Sequence, residues 1–168
     1  MADIKTRLDD ADKLNIGGNN YDRSQVVVEI SGTLIGTTDI TTFVKGIDYK
    51  ETADIQFGYA IGTRRPTEVG YGKIEGEGTL TVSDAGLGAL NKIALDAGLP
   101  SLLYFGQGTI GSEVTITVSY ITYNGVEQID QLQGVYFKTY NNAVNNSDVI
   151  YEREIEMIVG RVSIGANQ

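Results

Sequence analysis

Hydrophobic and polar residues alternate with a period of two along most of this chain. Val26, Val28 and Ile30 interleave with Val27, Glu29 and Ser31, and β-branched residues at alternate positions predict a strand with one buried face. Residues 36–39 read as a break. From 43 to 61 the chain is again extended, with Ile47, Tyr49, Ala53, Ile55 and Phe57 on one side and Asp48, Lys50, Thr52, Asp54 and Gln56 on the other. Gly62-Thr-Arg64-Arg65-Pro66-Thr-Glu68 is a turn, because proline cannot donate to a ladder. Residues 69–83 run back. One face carries Ile74, Gly76, Gly78, Leu80 and Val82; the other carries Tyr71, Lys73, Glu75, Glu77, Thr79 and Thr81. Together these segments predict a long hairpin.

The period then changes once. Leu87, Leu90, Ile93, Ala94 and Ala97 form a single apolar stripe at helical spacing. Asp84 is the expected cap, and Gly98 and Pro100 end the helix. Alternation resumes at Val114, Ile116, Val118 and Tyr120, and Asn124-Gly125 is a strong hairpin signal. A strand over 134–140, a polar turn over 141–148 and a last strand over 149–162 complete the pattern. In that last strand Tyr151, Ile155, Met157 and Val159 oppose Glu152, Glu154 and Glu156. Residues 1–24 read as an N-terminal arm that buries little: Ile4, Leu8 and Ala11 fit a short helical turn, which Asn15-Ile-Gly-Gly-Asn-Asn20 breaks. The domain proper is then 25–168. Six or seven strands and one helix predict a mainly β fold, a β-sandwich or open barrel with one packed α-helix.

Composition narrows the chemistry. A chain of 168 residues suits one domain. With no Cys there is no disulfide framework, thiolate nucleophile or zinc–thiolate site, and with no His there is no Ser–His–Asp or Cys–His arrangement. No run of about 18 apolar residues is present, so no membrane association is expected. The start, Met1-Ala-Asp-Ile-Lys5, has no apolar leader. A product made and left in the cytoplasm, without a cofactor, is the expectation. Thirteen Lys and Arg against 22 Asp and Glu give a net charge of −9, which argues against a nucleic-acid binder that must neutralise phosphates.

Several local signals have bland explanations. Gly70-Tyr-Gly72-Lys-Ile-Glu-Gly76 has the wrong spacing for a phosphate loop and lies inside a strand. Phe105-Gly-Gln-Gly-Thr109 matches an antibody joining strand by letter, but the Cys and Trp of that domain are absent. Asn145-Asn-Ser147 is a glycosylation sequon without a leader to make it relevant. Glu75/Glu77 and Glu152/Glu154/Glu156 are carboxylate rows. Residues two apart on a strand share a face by default, so a solvated face is the simplest reading. A hydrolase using Glu152 or Glu154 would require a deep pocket, and Ca²⁺ binding would require convergent oxygens. Arg64 and Arg65 are either a soluble turn or a plug meeting an acidic socket on another copy.

The order of these pieces is recognisable. Ile47-Asp-Tyr49, then Phe57-Gly-Tyr59-Ala-Ile-Gly-Thr-Arg-Arg-Pro66-Thr-Glu-Val-Gly70, then Glu75-Gly-Glu-Gly-Thr-Leu-Thr-Val82 resembles the central hairpin of bacteriophage tail tube proteins. Val114-Thr-Ile-Thr-Val-Ser-Tyr120, Asp130-Gln-Leu132-Gln-Gly134-Val135 and the Glu-rich last strand follow the order of that family. The resemblance spans roughly residues 25–162; the Gly- and Asn-rich arm departs from it. It implies a non-enzymatic structural subunit that forms hexameric rings, each copy giving about four strands to a ring-shaped inner β-barrel. The rings would stack into a tube that conducts DNA, with a tape measure protein, a possible sheath and other tail proteins as partners. It further implies location in the virion tail after assembly in the host cytoplasm. A tube subunit of a phage-like secretion or bacteriocin system, and a soluble β-sandwich module binding carbohydrate or protein, are the alternatives.

The implied dimensions are consistent with such a channel. Roughly 24 strands about 4.8 Å apart, tilted about 40°, give a circumference of about 150 Å and a bore of roughly 38 Å once side chains are allowed for. Duplex DNA, about 20 Å wide, would pass with about one Debye length of clearance, and a basic wall would hold it by counterion release. Lys73, Glu75, Glu77, Glu113, Glu152, Glu154 and Glu156 are the candidate lumen residues, with at least half of the acids expected to face the channel. Arg64, Arg65 and Pro66 are the candidate assembly contacts at a subunit or ring boundary.

Overall fold

The structure is a computed structural model that describes residues 13–22, 25–105, 113–122, 124–140 and 152–165. The strands are β1 (Lys13–Ile16), β2 (Asn19–Asp22), β3 (Val26–Gly32), β4 (Gly36–Asp39), β5 (Val44–Gly58), β6 (Glu68–Ser83), β7 (Val114–Ile121), β8 (Glu127–Tyr140) and β9 (Glu152–Ser163). One helix, α1 (Asp84–Asp96), follows β6, and a 3-10 turn at Leu102–Tyr104 leads towards β7. All nine strands join one sheet in the order β2-β1-β5-β6-β9-β8-β7-β3-β4. Every pairing is antiparallel except β1 with β5.

Alternation decides which face goes inside. Val26, Val28 and Ile30 on β3, Val114, Ile116 and Val118 on β7, and Ile155, Met157 and Val159 on β9 are buried in one cluster with Leu80 and Val82 of β6. The sheet bends back on itself around this core. The ring of Tyr21 on β2 lies 5.0 Å from that of Tyr120 on β7, although five strands separate them in the sheet. The expected mainly β fold with one packed helix is thus realised as a single rolled sheet. Leu87, Leu90 and Ala94 seat α1 on the core, and Phe105 beyond the 3-10 turn meets Phe137 of β8 at 5.8 Å.

Local details depart from the sequence pattern. Ser83, not Asp84, caps α1: its hydroxyl accepts from the Gly86 amide at 3.1 Å. Asp84 instead receives Arg153, whose Nε and Nη2 both lie 3.1 Å from its Oδ1. Arg153 occupies an inward position on β9 and is buried. Residues 36–39 form strand β4 rather than a break. Residues 13–22, read as part of an arm, form a hairpin on the sheet edge that buries Leu14 and Ile16; each such side chain contributes about 1.5–3 kcal/mol. Gly17 and Gly18 turn it with φ of 56° and 86°, a region that favours glycine. The helical turn over residues 4–11, the 141–148 turn, Tyr151, the Asn145 sequon and most of the Phe105–Thr109 match lie outside the described residues.

Candidate assembly surfaces

The outer half of the β5–β6 hairpin projects from the body. Strand β9 pairs with β6 only from Gly76 to Ser83, so residues beyond Gly76 towards the turn have β5 as their sheet partner. Two-stranded ribbons are marginal on their own, and this one is exposed along its length. The ladder runs Ala53↔Ile74 and then Ile55↔Tyr71 and Phe57↔Val69. Two residues advance on β5 while three advance on β6, so Gly72 and Lys73 both oppose Asp54 in a β-bulge. A Cβ on Gly72 would lie 2.7 Å from Asp54 Oδ2.

That bulge corrects the sequence reading of the hairpin's faces. Strict alternation puts Tyr71 with Lys73 and Glu75. The extra residue moves it to the opposite side, beside Ile55, because directly paired residues share a face. The ribbon therefore gathers Ile55, Phe57, Val69, Tyr71 and Ile74 on one side, with Tyr71 82 % and Ile74 65 % exposed. This row continues the face that is core at Ile47 and Leu80. At the tip, Arg64, Arg65 and Pro66 are all exposed.

The outward face of the sheet divides by charge. Across β5, β6 and β9 it carries Asp48, Lys50, Glu77, Thr79, Glu154 and Glu156, with Glu77 opposite Lys50 and Glu156 opposite Thr79. Lys73 and Glu75 extend it along the ribbon, and Glu152 extends it to the far end of β9, 3.8 Å from Lys45. Lys50 Nζ is 2.9 Å from Glu77 Oε1. That hydrogen bond holds the Glu77 carboxyl below its ordinary range and raises Lys50 above its own. A depression of about 450 Å³ on this wall is lined by Asp48, Lys50, Glu77, Lys138 and Glu156, with Met157 beneath. It includes neither Glu152 nor Glu154. Glu113 stands apart, beside Gly32 of β3 at the start of β7. Six of the seven candidate wall residues are therefore brought together.

Across β3, β7 and the first part of β8 the same outward side carries fewer charges. Val27, Ser31, Thr115, Thr117, Ser119, Ile121, Ile129 and Gln131 occupy it, with Glu29 facing Thr117 on one side and Asp39 of β4 on the other, and Glu127 at the far end opposite Ile121. Nothing in the strand periodicity marks this difference, since both halves alternate equally; only the identity of the polar residues does.

A buried polar cluster ties the roll together. Asp130 of β8 is 1 % exposed. Its carboxylate accepts from the hydroxyls of Tyr49 and Tyr120, from Gln128 Nε2 at 3.2 Å and from the Gly165 amide at 3.0 Å. Burial pushes the Tyr120 hydroxyl up to about 12 and raises Tyr49 as well, with Asp130 adding to both. The Glu51 carboxylate accepts from the Val162 amide at 2.9 Å, so two carboxylates fasten the end of β9 and the residues after it. Among the described residues no group of three or more carboxylates is placed to hold a metal ion.

No family model and no curated protein matches the chain. Solved structures do. A chain of the anti-feeding prophage baseplate is similar at 9% identity and a TM-score of 0.56, covering 83% of this chain and 91% of that one. The SPP1 tail tube gives 11% identity and 0.54 over 84% and 76%. The sheath/tube terminator of an extracellular contractile injection system gives 16% and 0.50 over 84% and 94%. The rolled sheet with helix α1 packed on it is thus the fold found in the SPP1 tail tube, the fold that the sequence resemblance implied.

Proposed function

We propose that this chain is a structural tube subunit that associates with copies of itself into stacked hexameric rings, forming a phage tail tube whose charged lumen conducts DNA. The observation that carries the reading is the ribbon's apolar row. A chain that leaves Phe57, Tyr71 and Ile74 exposed on a projecting hairpin presents a protein-binding surface, and it does so on the fold of a tail tube. The charged wall of β5, β6 and β9 is the proposed lumen lining, with Lys73, Glu75, Glu77, Glu152, Glu154 and Glu156. These strands and β8 alternate in direction, so a repeat of the four keeps every strand antiparallel from one copy to the next. Excess negative charge on such a wall prevents adhesion of the duplex.

On this reading the protein is not an enzyme, and tape measure, sheath and other tail proteins are its partners in the virion tail after assembly in a host cytoplasm. The likeness to chains of an anti-feeding prophage baseplate and an injection-system terminator favours a second version of the same role, a tube subunit of a phage-like injection apparatus. Negative-stain imaging and light scattering of the purified chain test both. Rings or tubes of one width are expected. A monomer that persists at high concentration overturns the proposal.

A further inference from the structure

We infer that the ribbon's apolar face docks on the weakly charged β3/β7 face of a second copy, with the arginine tip meeting Glu29; this rests on the self-assembly proposed above. Three observations lead there. The bulge at Asp54 and Gly72–Lys73 collects Ile55, Phe57, Val69 and Tyr71 on one side of the ribbon, which gives the projecting element a single apolar face.

The molecule offers two sheet surfaces that could receive it. The β5/β6/β9 wall is charged, and an apolar face laid there would strip water from Glu77, Glu154 and Glu156 without replacing their hydrogen bonds. The β3/β7 face presents Val27, Thr115, Thr117 and Ser119, whose methyls and neutral hydroxyls cost less to cover than ionised carboxylates.

Charge complementarity fixes the orientation. Arg64 and Arg65 stand at the end of the apolar row, and Glu29 with its cross-strand neighbour Asp39 lies on the weakly charged strip. Asp39 Oδ1 already accepts from the amide of Thr41 at 2.8 Å and from its hydroxyl, and Glu127 lies at the far end of the strip opposite Ile121; Glu29, opposite Thr117 in the middle of the strip, is the acceptor assigned to the tip. Donor and receiver lie on different parts of the chain, so the contact is heterologous and repeats from copy to copy.

Two variants that each spoil one side test this. Tyr71→Asp charges the ribbon; Thr117→Lys adds a long cation to the seat and draws on Glu29. Each protein should keep its far-UV spectrum and melting temperature yet remain a monomer. Mixed together they should form a 1:1 dimer and nothing larger, because one keeps an intact seat and the other an intact ribbon. Assembly of Thr117→Lys like the wild type, or a mixture that stays monomeric, overturns the inference; the first result would also be given by ribbon packing on ribbon. Should Tyr71→Asp fail to fold, Arg64→Glu with Arg65→Glu replaces it, and Glu29→Lys in the same chain should restore assembly at least tenfold in critical concentration. Absence of that rescue counts against the inference. A wild-type chain that never assembles defeats the underlying proposal instead, before either variant is compared.

Discussion

Asp130 shows how one buried carboxylate can hold a rolled sheet. It draws together β5 through Tyr49, β7 through Tyr120, and the chain beyond β9 through the Gly165 amide. Hydrogen bonds to a charged group contribute about 1.5–3 kcal/mol each, so Tyr49→Phe should lower unfolding stability by that amount in urea titrations. The pH dependence has a definite sign. Tyr120 releases its proton near 10 when unfolded and near about 12 when folded. The folded state therefore binds the proton more tightly; its stabilisation is complete below pH 10 and is lost as pH rises from 10 through 12. Urea midpoints should fall across that window, and fall less in Tyr120→Phe. In the sequence, Asp130 stands between Ile129 and Gln131 with nothing local to mark it as buried. Its partners are 81 and 10 residues away, a separation that no local pattern encodes. The same holds for Arg153, which occupies an inward position because Asp84 is there to meet it.

At the scale of elements, periodicity located the long strands and the helix, because burial of one face acts on every second or every fourth residue. It failed where an element is held by something other than its own pattern. Strand β4 is four residues of Gly, Thr and Asp that exist by pairing with β3. The β1–β2 hairpin lies in a stretch rich in Asn and Gly, where Leu14 and Ile16 are too few to announce a strand. One bulge residue was enough to reverse the face of Tyr71. Glycines separate by what surrounds them. A Cβ at Gly76 would lie 2.6 Å from the Val159 carbonyl oxygen, so Gly76→Ala should cost about 1–3 kcal/mol through overpacking. Gly88, on the helix with nothing within 4 Å, should behave oppositely: Gly88→Ala is expected to stabilise by about 0.8–1 kcal/mol. Removing the cap with Ser83→Ala should cost about 1 kcal/mol. Thermal denaturation of the three variants side by side checks the ordering.

For the whole molecule, the row of acids on β6 and β9 was legible because residues two apart share a face, and six of the seven candidates do lie on one wall. Glu113 lies apart from the other six, beside Gly32; this was not legible, because the sequence does not show which end of β7 lies near which strand. The arginine pair was legible as a turn, and the structure adds that this turn is the tip of a projecting ribbon. Reversal of both charges, Arg64→Glu with Arg65→Glu, should leave the folded monomer intact and reduce tube formation at least tenfold by sedimentation and electron microscopy; unchanged tubes would remove the tip from the interface.

The bare hydrophobic blade has a consequence before any tube exists. On the assembly proposed above, newly made copies carry it from the moment they fold, so the pool of free copies stands above its equilibrium level until tubes nucleate. Its lifetime is set by how slowly the first few copies meet in the right pose, and preparations should hold clear for a lag that shortens steeply with concentration and vanishes when preformed fragments are added as seeds.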